Sequence, residues 1–141
     1  MSALSVYLEG SVLNHLFRSA TFQKPTTLAF CLLIAPASST DTGDLAGKEV
    51  VNANGYARAS LIPSDDNWTP PDSNGVIRNK VLINFPIATG NWGSIVGVAV
   101  TDSITYGEGN LLFQGLMSPA QSVYAGMTFT FNVADVAVSV R

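Results

Sequence analysis

Few side chains in this 141-residue chain are of the types that make or break bonds, and the histidine and cysteine are single copies, His15 and Cys31. A general base or a nucleophile needs an oriented partner within hydrogen-bond reach, and the sequence supplies no cue to one for either residue. His15 sits in a helical pattern, where a satisfied or interfacial histidine is the expectation. Cys31 lies in an apolar run, where a free thiol behaves as a small hydrophobe. Together they fall short of a zinc ligand set. Asp41 with Asp44, and Asp65 and Asp66 with Asp72, offer loop oxygens of the calcium-binding kind. Neither group follows the EF-hand spacing, and loop aspartates ordinarily make turns. Glu9, Glu49 and Glu108 are scattered, with nothing to bring two acids across a cleft as glycoside hydrolysis requires. No nucleophile elbow, phosphate loop or dinucleotide fingerprint occurs, and Gly107-Glu108-Gly109 reads as a turn. The expectation is a protein that is not an enzyme and that uses no metal and no cofactor.

The shortage of chemistry goes with a shortage of charge. Only 12% of residues are charged and 47% are hydrophobic, where an ordinary soluble domain has about 25% charged residues. Mean hydropathy is +0.28. A folded monomer of this mass exposes roughly 7,000 Å², more than seven basic and ten acidic side chains can cover at the usual density. Large contiguous apolar patches drive association, so this surface is expected to be covered by partners. There is no basic run, which argues against nucleic acid bound through its phosphates. The longest apolar run, Leu28 to Pro36, is well short of the about 20 residues a membrane helix needs. The N-terminus has no charged region or cleavage site of the secretory type. The glycosylation-like triplet Asn67-Trp68-Thr69 is therefore expected to stay unmodified. One cysteine forms no internal disulfide.

The elements that would carry such a surface follow from periodicity. Leu4, Leu8, Val12 and Leu16 recur at helical spacing, with Ser2 as a plausible N-cap. Val6, Leu13 and Phe17 form a second apolar stripe. A helix apolar on two sides is expected either to plug one end of a core or to sit between the domain and a neighbour. After Pro25 the period becomes two. Leu28, Phe30, Leu32 and Ile34 alternate with Ala29, Cys31 and Leu33, followed by strands over 56–62, 77–85, 95–102, 110–117, 129–133 and 136–140. The stretch from Ile95 to Asp102 has the composition of a central strand buried on both faces. Pro63 to Gly75 is a long proline-flanked loop, read as a docking loop. Trp92, between turn glycines, reads as a packing residue. The sum is a mainly β fold, a single antiparallel β-sandwich or barrel of about seven or eight strands with one N-terminal α-helix. It forms one domain over 1–141, helical over 1–20 and β over 26–141.

Four motifs in order are similar to a family of small tailed-phage virion proteins, commonly labelled phage tail fibre proteins. They are Ser5-Val6-Tyr7-Leu8-Glu9 with Leu13 to Arg18; Gly55-Tyr56-Ala57-Arg58; Phe85 to Gly93; and Gly109-Asn110-Leu111-Leu112-Phe113-Gln114-Gly115. The chain departs from the family pattern at Asn52-Ala53-Asn54-Gly55, where a glycine run is usual, and in its longer Pro63–Gly75 loop. The resemblance implies a structural role. The first expectation is a cement or decoration protein that binds the capsid exterior as a homotrimer, with its own copies and the major capsid protein as partners. The alternative is a tail component, a tail fibre or adaptor domain. A third reading is a sugar-binding module using Trp68 and Tyr106. Candidate assembly contacts are Tyr7, Leu8, Phe17, Trp68, Pro70, Pro71 and Tyr106, aromatic and apolar residues of the helix and loops.

Overall fold

The computed structural model describes residues 2–140. Its centre is β6 (Gly93–Thr101), flanked by β7 (Leu111–Val123) and β2 (Leu28–Leu33), with β1 (Ser2–Leu4) and β3 (Ala59–Leu61) on the edges. This five-stranded sheet is antiparallel throughout, in the order β1-β7-β6-β2-β3. Two short ribbons pair β4 (Ile77–Arg78) with β9 (Ala137–Val138), and β5 (Ile83–Asn84) with β8 (Thr130–Phe131). The fold is mainly β with one helix, and no closed barrel forms among the described residues.

The alternation in β2 decides which layer goes where. Phe30 and Leu32 point to one face of the sheet, into a core shared with Ile83, Phe85, Phe129 and Phe131 of the ribbon layer. Cys31 and Leu33 point to the other face, against Ala99, Leu111 and Leu45. That second core is covered by the 34–49 connection rather than by a sheet. Since β2 is covered on both sides, none of its last five residues reaches solvent. β6 has the small residues its position needs. A Cβ at Gly97 would lie 2.6 Å from the Gly115 carbonyl oxygen, at the irregularity where β6 and β7 shift register.

Three expectations are revised. The chain before the helix is a strand: Ser2, Ala3 and Leu4 pair with Gly115, Gln114 and Phe113. The helix, α1 (Val6–Phe17), therefore starts later, and its N-cap is Ser5 rather than Ser2, with the Leu8 amide donating to Ser5 Oγ at 3.1 Å. The stretch 77–85 is not one strand but two, in separate ribbons. Buried Asn79 breaks it by donating to the Val81 and Asn132 carbonyls and accepting from the Val136 amide. Its backbone carbonyl also accepts from the Ala134 amide and its amide donates to the Val136 carbonyl, so Asn79 is held from several sides where the two ribbons part. Finally, α1 is neither a plug nor deeply buried. Leu8, 7% exposed, is its one buried residue.

Candidate functional site

The only buried charges among the described residues are Glu49 and Arg58, and they meet. Arg58 Nε and Nη2 donate to Glu49 Oε2 and Oε1 at 3.0 and 2.9 Å, a bidentate fork. Nη2 also reaches the Gly43 carbonyl at 2.7 Å. Nη1 faces the carbonyls of Ser103, Thr105 and Glu108 at 2.9 to 3.0 Å and Thr101 Oγ1 at 3.3 Å, which share its two hydrogens. Tyr56 completes the arrangement: its hydroxyl donates to Glu49 Oε2 at 2.7 Å and accepts from the Leu32 amide at 3.0 Å.

This node ties the 34–49 connection and the 102–110 connection to the edge of the sheet. Arginine suits the task because its planar fork satisfies a carboxylate and several carbonyls at once. Burial works against the Arg58 charge, but hydrogen bonds from the guanidinium to Glu49 hold its pKa above the ordinary arginine value. Burial, then the Glu49 carboxylate, push the Tyr56 hydroxyl well up, so it stays a neutral donor. Burial and Glu49 likewise raise the Cys31 thiol far above its ordinary value. A thiol so held is a packing group, not a nucleophile. Gly43 is fitted to the tie, since a Cβ there would stand 2.1 Å from the Glu108 carbonyl oxygen.

Aromatic rings extend the node into the core. Tyr56 packs edge-on against Trp92 at 5.3 Å and Tyr106 at 6.1 Å, and Arg58 lies 5.9 Å from the Tyr106 ring centre. Trp92 is buried at its turn, as its flanking glycines suggested, and its indole donates to the Asn54 carbonyl at 2.8 Å. The other chemistry-bearing residues stay apart. His15 Nδ1 accepts from the Phe22 amide at 3.2 Å and closes the turn after α1. Asp41 pairs with Lys48 and accepts from the Ser38 amide. No group of three or more His, Cys, Asp or Glu is placed to hold a metal among the described residues. No helix there is long and apolar enough to cross a membrane.

What the fold presents outward is apolar. The accessible surface is 7702 Å², against roughly 7,000 Å² for a compact monomer of this mass. Part of the excess is α1, which stands on Leu8 and Ser5 and leaves its other side in solvent. Leu16 is 66% and Phe17 81% exposed, and Val6, Tyr7 and Leu13 are exposed as well. A second part is a trench over the core-side face of the sheet, formed by two neighbouring cavities of about 500 and 680 Å³. Val100, Phe113 and Val138 line both.

The seven candidate contacts are distributed unevenly over these features. Tyr7 and Phe17 are on the open side of α1, whereas Leu8 is the residue that docks the helix to its own core. Pro70 and Pro71 are exposed on the wall of the trench. Trp68 does not project from its loop as expected. It is 9% exposed, stacks on Phe30 at 6.2 Å, and is fixed by a β-bridge to Asn79. Its Nε1 is buried with no acceptor among the described residues. Tyr106 is half-buried in the node. The Glu49–Arg58 tie escaped the sequence reading, in which Glu49 was only a scattered acid. The available signal was a charged Arg58 inside an apolar strand pattern.

A family model described as podophage GP4 fiber I protein gp80 matches residues 3–139. No curated protein matches the chain.

Proposed function

The chain belongs to the podophage GP4 fiber I protein gp80 family and is a structural protein of a phage virion; from that premise we propose that it works without catalysis, as a self-associating subunit at a tail fibre. The observation that carries the proposal is the apolar outward side of α1. A lone soluble domain gains nothing from displaying Leu13, Leu16 and Phe17 to water, whereas a subunit uses such a surface for its neighbours. The node explains how a chain so poor in charge still has a defined shape. The one buried ion pair among the described residues fixes two long connections, and most other charged side chains there lie on loops that face water.

Homotrimeric cement on the capsid exterior, the role first expected from the family resemblance, makes the same demand for apolar contact surface. The family description supports the fibre instead. Immunogold labelling of intact particles separates them. Gold at the tail is expected, and gold spread over the head would replace the fibre reading with the cement reading. Many weakly bound copies gain strength through avidity in either position.

A further inference from the structure

Among the described residues two apolar surfaces are open to solvent, and charges of opposite sign accompany them. The first is the side of α1 turned away from Leu8. At about 100° per residue, Val6, Gly10, Leu13 and Phe17 fall in one stripe centred opposite Leu8, with Leu16 on the flank about a quarter-turn away. The stripe has the 4-3-4 spacing of a helix that packs along its length. Gly10 sits in the middle of it. Glycine inside a helix is destabilising relative to alanine, and a Cβ at Gly10 would meet nothing within 4 Å. The fold of one chain therefore gives no reason for glycine there, but a body approaching α1 closely does.

The second surface is the trench between the β6–β7 face and the β4–β9 ribbon. Its shared walls are Val100, Phe113 and Val138. The helix is 12 residues, about 18 Å long. The trench joins two cavities, each in the size range that takes several side chains. Charge gives the direction. Lys24, Lys80 and Asp65 line one of the two joined cavities, and Asp135 lines the other. The helix carries Glu9 in its first turn and Arg18 at its C-cap. Laid with Glu9 towards the lysines and Arg18 towards Asp135, both ends are complementary.

We propose that α1 of one copy lies in the trench of the next copy. The exposed side chains of α1 offer on the order of 600 Å². Covered by the smaller surface of the trench, this gives about 1,000 Å² at most, the size of a weak contact that gains strength when many copies repeat it. The contact is heterologous, helix to trench, so copies joined this way close into a ring when the rotation permits. It deepens the proposed subunit role by naming the surfaces, yet it concerns the isolated protein and stands or falls apart from where the virion carries it.

Sedimentation of purified protein tests it with two variants and their mixture. Leu16→Asp/Phe17→Asp removes the helix surface and leaves the trench. Val138→Arg blocks the trench and leaves the helix, with Met117→Arg on the opposite wall as a second blocked form; circular dichroism confirms that each variant is folded. The wild-type protein is expected to be an oligomer, each variant alone a monomer of 14.8 kDa, and an equimolar mixture of helix and trench variants a dimer. In that mixture one intact helix meets one intact trench. A monomeric wild type overturns the proposal. So does a folded trench variant that remains oligomeric, because the helices would then be packing on one another.

Discussion

Replacing Arg58 tests the structural logic most sharply, because two opposite results are reasonable for a buried ion pair in general. Removing one partner of such a pair costs about 3–5 kcal/mol, whereas replacing both by apolar groups is often neutral or stabilising by about 1–4 kcal/mol. Here the second rule is expected to fail. Arg58 contacts Glu49 and also the carbonyls of Gly43, Ser103, Thr105 and Glu108. Arg58→Met leaves the Gly43 and Glu108 carbonyls without a donor and the buried Glu49 carboxylate with the Tyr56 hydroxyl alone, a loss of about 5 kcal/mol. Glu49→Met with Arg58→Met removes the stranded charge but leaves the Gly43 and Glu108 carbonyls without a donor and the Tyr56 hydroxyl without its acceptor. At about 1 kcal/mol for each of these three groups, the double variant stays about 3 kcal/mol below wild type. Arg58→Lys, with three donors on one nitrogen, cannot span both sides and falls between. Urea unfolding followed by tryptophan fluorescence reads these differences, against a total stability of about 5–15 kcal/mol. A double variant as stable as wild type would refute the view that Arg58 is chiefly a tie for loop carbonyls.

Leu8→Asp buries an unpaired charge under α1 and is expected to destabilise the fold by about 3 kcal/mol or more, while Leu16→Asp, on the exposed side, changes monomer stability by no more than about 0.5 kcal/mol; equal losses in thermal melts would show that the docked side is wrongly assigned. Ser5→Ala loses the N-cap and the donor to the buried Leu111 carbonyl, costing about 2–3 kcal/mol in urea unfolding; a cost under about 0.5 kcal/mol would mean that Ser5 does not anchor the helix. Alkaline pH should destabilise the protein, because Cys31 and Tyr56 keep their protons in the folded state well above their ordinary values of 9.0 and 10.0. Above about pH 9 the unfolded chain releases protons that the native chain retains, so stability falls by about 1.4 kcal/mol per pH unit for each such group. Urea midpoints from pH 8 to 11 should decline from about pH 9, and Cys31→Val should delay the onset by about one pH unit; midpoints that stay level to pH 11 would contradict the burial of both groups. Gly43→Ala drives a methyl into the Glu108 carbonyl, so the two connections must part, costing about 2–3 kcal/mol; a variant that melts like wild type would show that the tie yields without loss.

Much of the sheet was legible because its signals are local. The two faces of β2 follow from Leu28, Phe30 and Leu32 alternating with Ala29, Cys31 and Leu33; the small residues of β6 mark the central strand, but it is covered on both sides only over Ala99 to Thr101. Where pairing is remote, nothing local reports it. Ser2–Leu4 has the same apolar content as a helix start, and only Phe113 to Gly115, more than 100 residues away, make it a strand. The 77–85 stretch alternates like one strand, and only the bonds made by buried Asn79 divide it. The same limit applied to function. Tyr7 and Phe17 were recognisable as exposed apolar residues of a helix, but which side docks depends on Leu8 meeting a core built from distant strands. The prolines around Trp68 suggest a projecting loop, yet its ring packs on Phe30 and shows only an edge in the trench. Glu49 and Arg58 are nine residues apart in sequence and flank a turn, with no periodicity to show that their side chains converge.

The role as a structural subunit is tested most directly by quantitative mass spectrometry of purified phage particles, with the major capsid protein as the internal standard. Expected is a constant ratio across preparations, far below one copy per capsid subunit, as a fibre-associated oligomer requires. A ratio near one would move the chain to the shell, and its absence from purified particles would contradict the structural role itself.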